Sequence, residues 1–287
     1  MKTLGFTQLE GCGNNFIVMQ DLQRNFVSTV SDLSHIAARI QDRHFGVGSD
    51  GLMIVVSSTD ADFEVLMFNP DGSRMGMCGN GIRCVTRFLF LEGIVARHVS
   101  KVEFLVQGRR IICYPIEEGR SVRVDMGTPS FAAAAVPVLS AQEFIEQPIP
   151  QHPWTGTCLS MGNPHCVIFV DDLDKIQLEV VGPVLEHHAI FPERANIEFV
   201  RCLSPERCQA RVWERGAGIT LACGTGACAV LMAGYRSGRL APHALVELPG
   251  GVLDVEYQPD ANKVFLTGPA REICTGEFSP DFLSRIS

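Results

Sequence analysis

Apolar residues recur along this chain in two spacings, and the two alternate in a fixed order. Short apolar runs at 16–19, 52–56 and 63–68 predict strands. Between the first two, Leu33, Ile36, Ala37 and Ile40 recur at helical spacing and predict a helix over 31–44 with Ser31 as its N-cap. Asn69-Pro-Asp-Gly-Ser73 reads as a turn. A helix over 79–92, closed by Gly93, leads into valine- and isoleucine-rich strands within 102–124. The second half repeats the order: a strand at 166–170, a largely helical stretch at 178–188 despite Gly182-Pro183, and strands at 197–202 and 210–213. A helix over 224–234 and strands at 245–248, 252–257 and 264–267 complete it. The second of these long helices is apolar almost all round, which predicts burial on every face. The Ala- and Pro-rich stretch 131–153 reads as a connection or loop.

The halves also match at individual positions. Cys78-Gly-Asn-Gly and Cys223-Gly-Thr-Gly each open a helix. Phe68 stands ten residues before Cys78 and Trp213 ten before Cys223; nine before them stand Asn69 and Glu214. Gly13-Asn14 opens one half and Gly162-Asn163 the other. The chain reads as two copies of one α+β domain.

Composition narrows the partners. The 287 residues are 46% hydrophobic and 20% charged, with a net charge of −8 and no block of Lys and Arg. That argues against nucleic acid and against an anionic membrane surface. The first ten residues lack a signal-peptide core, and no apolar run of about eighteen residues predicts a spanning helix. Eleven cysteines, several inside apolar runs, fit free thiols in a reducing cytoplasm better than a disulfide scaffold.

Cys113, Cys166, Cys202 and Cys228 read as buried small hydrophobes. Cys78 and Cys223 do not: each stands before a glycine-rich turn and a helix start, where backbone N–H groups lower a thiol's pKa and can hold a carboxylate. Zinc is disfavoured because the close pairs Cys78–Cys84, Cys202–Cys208 and Cys223–Cys228 are not spaced as C-x-x-C, and a dithiol redox site is disfavoured likewise. Two pseudo-symmetric thiols addressing one molecule suit inversion of a carbon, one taking a proton and the other returning one. A pyridoxal racemase would need a Schiff-base lysine; Lys2, Lys101, Lys175 and Lys263 all lie in undistinguished segments, which favours cofactor-free chemistry.

Nine segments, in order, carry a resemblance: G11-C-G-N-N-F16, R43-H-F-G-V-G48, F68-N-P-D-G-S73, C78-G-N-G-I-R-C84, S160-M-G-N-P-H165, F191-P-E-R-A-N196, W213-E-R-G-A-G218, A222-C-G-T-G-A-C228 and L248-P-G-G251. Over nearly its whole length the chain resembles the diaminopimelate epimerases. The resemblance implies an α+β fold (α/β roll) of two pseudo-symmetric domains, each a curved, mostly antiparallel sheet around a central helix, with the active site in the interdomain cleft. The division implied is 1–122 with 271–287, and 123–270. It implies Cys78 and Cys223 as catalytic acid and base, with His165 and Glu214 tuning their pKa values. Substrate contacts would come from Asn14, Asn69, Gly79, Asn80, Asn163, Asn196, Glu214, Arg215, Gly224 and Thr225. It further implies a cytoplasmic enzyme, often a homodimer, that needs no cofactor and no metal and acts on a small molecule, diaminopimelate.

Arg215 and Glu214 independently suit a second amino-acid head group, one taking a carboxylate and the other an ammonium. Two positions depart from the family pattern: Gly51, where many bacterial members have Gln, and Asn15, where many have Asp. They keep a related amino-acid racemase open as an alternative, and a thiol-rich metal or redox module is the alternative of another class. A proline racemase fits less well, since its C-G-H-G has His at the place of Asn80.

Overall fold

The computed structural model describes residues 4–286, so Lys2 lies outside it. The chain divides into two compact units, one built from residues up to Val124 and from Gly268 onward, the other from Asp125–Thr267. In chain order the first unit holds β1 (Leu4–Gly11), β2 (Asn14–Gln20), α1 (Asn25–Thr29), α2 (Leu33–Gln41), β3 (Gly51–Val56), β4 (Phe63–Phe68), α3 (Gly79–Leu91), β5 (Val102–Val106), β6 (Arg109–Ile116) and most of β7 (Ser121–Gly127). The second holds β8 (Gln147–Pro148), β9 (Thr155–Ser160), β10 (Pro164–Phe169), α4 (Leu178–Glu186), β11 (Asn196–Ser204), β12 (Arg207–Glu214), β13 (Gly218–Thr220), α5 (Gly224–Arg236), β14 (His243–Leu248), β15 (Gly251–Gln258) and most of β16 (Lys263–Pro269). The chain then returns to the first unit through β17 (Arg271–Phe278) and α6 (Pro280–Ile286).

Strand pairing makes the internal repeat explicit. In the first unit β1–β2 is antiparallel, β2–β3 parallel, β3–β4 antiparallel, β4–β5 parallel, and β5–β6 and β6–β7 antiparallel. In the second, β9–β10, β10–β11, β11–β12, β12–β14, β14–β15 and β15–β16 follow the same order of senses. Each parallel step needs a crossover, and a helix supplies it: α2 and α3 in one unit, α4 and α5 in the other. The later crossover helix of each unit packs against strands from both ends of its own sheet. The sheet therefore wraps around it. Ten of the thirteen residues of α3 are buried, and ten of the thirteen of α5.

The helix expected over 31–44 is corrected at both ends. α2 begins at Leu33 and is capped by Asp32, whose carboxylate accepts the His35 N–H at 2.9 Å, so Ser31 is not the N-cap. Its end comes at Gln41, because the Asp42 carboxylate accepts from the His44 and Phe45 N–H groups, both at 2.8 Å, and turns the chain. The stretch 131–153 is irregular apart from β8, as a loop is, and it lies within the second unit rather than joining the copies. Val136, Val138, Phe144 and Ile149 are buried with Cys158, Cys166 and Phe199 in the second unit's core. Its apolar anchors are too irregularly spaced to show a period.

The reassigned cap predicts that Asp32→Ala lowers the unfolding free energy by about 1 kcal/mol. Ser31→Ala should stay within about 0.5 kcal/mol of the parent. Urea denaturation separates the two, and the reverse ranking would restore Ser31 as the cap.

Candidate active site

Each repeated cysteine is the N-cap of a buried helix. Cys78 has φ −118° and ψ 112°, Cys223 φ −123° and ψ 115°. Three residues on, the Gly81 and Gly226 N–H groups donate to the respective sulfurs, both at 3.4 Å. A thiol thus takes the place of the Ser or Asp oxygen that usually caps a helix. The remaining first-turn N–H groups have no intrahelical acceptor and face an anion favourably.

In the first unit, Asn80 lies at the second position of α3 and donates through Nδ2 to Asn14 Oδ1 at 2.7 Å. Its own Oδ1 accepts from Arg83 Nη1 at 2.9 Å. Arg83 is 0% exposed and also donates to the carbonyls of Gly79 and Pro269, both at 3.2 Å. Arg83 therefore fixes which way the Asn80 amide points. Asn69 stands apart from this group: it holds its own turn, with Nδ2 on Ser73 Oγ at 2.9 Å and its carbonyl accepting from Gln41 at 2.8 Å. Gly51 opens β3 where a Cβ would lie 2.9 Å from the Phe16 ring and 3.1 Å from Met75 Cε. A larger residue needs both to move, so Met75 and Phe16 fill the space that the departure leaves. Asn15 bonds Gln8 Nε2 through Oδ1 at 3.3 Å.

In the second unit, Asn163 Nδ2 donates to Thr225 Oγ1 at 3.2 Å, the counterpart of the Asn80–Asn14 bond. Thr225 Oγ1 lies 3.5 Å from the Cys223 sulfur. His165 is fully buried, with Nε2 3.0 Å from Asn163 Oδ1 and Nδ1 2.6 Å from Glu198 Oε1. Both ring nitrogens are thus occupied by Asn163 and Glu198 rather than by a thiol. Asn196 spans Pro164 O, to which it donates at 2.9 Å, and the Arg215 N–H, which it accepts at 2.8 Å. Glu186 accepts from Trp213 Nε1 at 2.7 Å and from the Gly216 N–H at 2.9 Å, and so braces the turn that carries Glu214 and Arg215. Arg215 is exposed; Nη1 bonds the Glu193 carbonyl at 3.0 Å. Glu214 Oε1 accepts from Thr220 at 2.6 Å.

The helix start does not lower the Cys223 pKa as expected. Burial pushes this thiol well above the ordinary range and the Glu214 carboxylate pushes it further, against the Thr225 hydroxyl and the Gly226 N–H, which pull it down. Desolvation outweighs a few oriented dipoles. Cys202 is corrected as well: it is exposed, on the outer half of β11. Cys113, Cys166 and Cys228 are buried, and none of the eleven cysteines is joined in a disulfide. Among the described residues, no three His, Cys, Asp or Glu side chains gather as a metal site, and no helix is long and apolar enough to cross a membrane.

A family model described as diaminopimelate epimerase matches residues 6–132 and 157–273. The diaminopimelate epimerase of Moorella thermoacetica is 42% identical over 284 residues, covering 96% of this chain and 99% of its own. That of Acetivibrio thermocellus is 44% identical over 277 residues, covering 95% and 97%. The chain belongs to the diaminopimelate epimerase family. The fold extends beyond the diaminopimelate epimerases, at identities that speak for architecture alone. A hydroxyproline epimerase from Agrobacterium vitis aligns with a TM-score of 0.67 at 14% identity, covering 98% of this chain and 93% of its own. A phenazine biosynthesis protein of the PhzF family from Bacillus anthracis aligns with a TM-score of 0.69 at 16% identity, covering 97% and 100%.

Within this diaminopimelate epimerase frame, reading by motif missed Arg83, Glu186 and Glu198. Each is charged and nearly or fully buried. The signal available was their placement: Arg83 inside C78-G-N-G-I-R-C84, and Glu198 two residues after Asn196 among the apolar Ile197, Phe199 and Val200.

Burial also sorts the thiols by reactivity. It pushes Cys113 and Cys208 up to about 12 and Cys84 higher still. At pH 8 a thiol at about 12 is ionised in on the order of one molecule in ten thousand. Iodoacetamide on the folded protein should label exposed Cys274 and Cys202 and leave Cys84, Cys113 and Cys208 until urea is added. Peptide mapping reads this, and early labelling of Cys113 would contradict the packing.

Proposed function

We propose that this chain interconverts LL- and meso-diaminopimelate without a cofactor, with Cys78 and Cys223 as the acid/base pair. The observation that carries the assignment is the duplicated thiol N-cap, the same geometry at equivalent places in two copies of one topology. A proton leaves the substrate α-carbon for a thiolate, and the other thiol delivers a proton to the carbon from the opposite face. Charge that builds on the adjacent carboxylate is stabilised by the first-turn N–H groups at Gly79-Asn80 and Gly224-Thr225. Asn14, Asn69, Asn163 and Asn196 position the substrate, with Arg215 on the distal carboxylate and Glu214 on the distal ammonium.

The roles at rest follow from burial. A raised pKa keeps Cys223 protonated at neutral pH. Two-base inversion needs one thiolate, so the resting base is Cys78 and the resting acid Cys223, and one turnover exchanges them. The reading includes a reducing, cytoplasmic setting, which eleven cysteines without a disulfide support.

Incubation with LL-diaminopimelate in D2O, followed by α-deuterium uptake and meso product, tests this. Cys78→Ala and Cys223→Ala should each lose at least about a thousandfold in epimerisation, as loss of an acid or base requires. Cys223→Ala should still wash out the α-proton of one isomer through Cys78. Full turnover by either variant would refute the two-base reading. Arg215→Met should raise KM for diaminopimelate by at least about tenfold, since a carboxylate loses its charged partner. Equal turnover of lysine and diaminopimelate by the parent would remove Arg215 from that role.

A further inference from the structure

Glu198 is 0% exposed, and its Oε2 has no hydrogen-bond partner among the described residues. Burying a carboxylate is costly unless it is compensated, so its presence needs a reason. Packing is not the reason. The parallel pairings Phe16↔Gly51 and His165↔Asn196 put Met53 and Glu198 at the same place in the two repeats. Met53 lies under Gly81, and Glu198 Oε1 lies 3.0 Å from where a Cβ on Gly226 would be. A plain apolar side chain fills this place in the first unit. In the second, a carboxylate is held against the glycine that caps Cys223.

Its one bonded oxygen opens a continuous chain. Glu198 Oε1 is 2.6 Å from His165 Nδ1, His165 Nε2 is 3.0 Å from Asn163 Oδ1, Asn163 Nδ2 is 3.2 Å from Thr225 Oγ1, and Thr225 Oγ1 is 3.5 Å from Cys223 Sγ. Donor and acceptor chemistry sets its direction. Asn163 donates to Thr225 through Nδ2, so its Oδ1 faces the ring and Nε2 must carry a hydrogen. Thr225, accepting from Asn163, has its hydroxyl hydrogen left for the sulfur. Nδ1 and Oε1 then have one proton between them, and the His165–Glu198 pair is neutral whichever atom holds it.

We infer that Glu198 is a positioning residue for Cys223: through His165 it fixes the direction of a relay, Glu198–His165–Asn163–Thr225, that ends in a hydroxyl donor on the Cys223 sulfur. The inference rests on Cys223 being an acid/base residue. It gives the buried thiolate, formed once per cycle, a second donor beside the Gly226 N–H. The shared proton also keeps a negative charge away from a sulfur that already sits near Glu214. The ionisable groups around Glu198 are His165, Glu214, Cys158 and Cys223. Of these, only His165 bonds it.

The test is the imidazole nitrogen spectrum of the 15N-labelled full chain, with the His165 signals identified by their loss in His165→Gln. In the parent, Nε2 should read as protonated from pH 6 to 8 and Nδ1 as sharing a hydrogen. Glu198→Gln, whose amide can donate to Nδ1, should keep Nε2 protonated while Nδ1 becomes a plain acceptor. Glu198→Met, the residue of the other repeat, should free the ring to exchange tautomers. It should also lower kcat on the order of 10–100-fold, the effect of one charge-assisted hydrogen bond, with KM changed less than about threefold. Glu198→Gln should recover at least about tenfold of any such loss. An unprotonated Nε2 in the parent or in Glu198→Gln overturns the relay, as does parental kcat in Glu198→Met. If Glu198→Met does not fold, the parent and Glu198→Gln spectra decide. A parent that does not epimerise diaminopimelate but shows the expected spectrum would sink the functional reading and leave the relay's direction intact.

Discussion

A helix buried on all sides must start inside the protein, and that constraint shapes both units. Its first N–H groups have no acceptor within the helix, and a start at the edge of the core limits water as a substitute. Cys78 and Cys223 answer part of this need by accepting one N–H each. The donors left over are what a carboxylate can use. The thiols thus gain their neighbourhood from a packing requirement: wrap a sheet around a helix and its polar end becomes a site.

The two starts are geometrically alike and electrostatically opposed. Behind Cys78 stands Arg83, a buried cation whose bonds go to carbonyl and amide oxygens and to the Cys12 sulfur, and to no carboxylate among the described residues. The place equivalent to Arg83 in α5 is taken by buried Cys228. Behind Cys223 stand Glu198 with His165, and Glu214 nearby, whose charge raises the thiol. Buried Arg83 on one side and the carboxylate of Glu214 on the other make the surroundings of the two thiols electrostatically unequal.

Elements with a strong period were legible in the sequence. β3, β4, α3 and α5 fall within about two residues of their predicted bounds, since the apolar residues of a buried strand or helix recur at its own period. β1 and β17 carry no apolar run that predicts a strand. β17 is mostly exposed, with charged residues at Arg271, Glu272 and Glu277, and its pairing with β1 spans almost the whole chain. No local pattern reports such a partner. The outer half of β11 left its core, which is why Cys202 looked buried by type and is not. At the site, the glycine-flanked thiols and their asparagines were visible because they are local. Arg83, Glu186 and Glu198 were missed because their bonds run to residues distant in sequence: Pro269, Trp213 and His165.

The last glycine of each C-G-x-G is where these constraints meet. Its N–H must reach the sulfur three residues back, which any residue in the first turn of a helix could do. Its missing side chain is what the surroundings require. At Gly226 a Cβ would come within 3.0 Å of Glu198 Oε1 and 3.3 Å of Cys223 Sγ, wedging the carboxylate away from the thiol's side of the helix. At Gly81 the same space is taken by the end of Met53. One glycine is thus needed for an apolar contact and the other for a buried, hydrogen-bonded carboxyl group. The motif reads identically in both halves because it records the closeness of the strand beneath the helix, whereas the residue on that strand decides how each sulfur behaves.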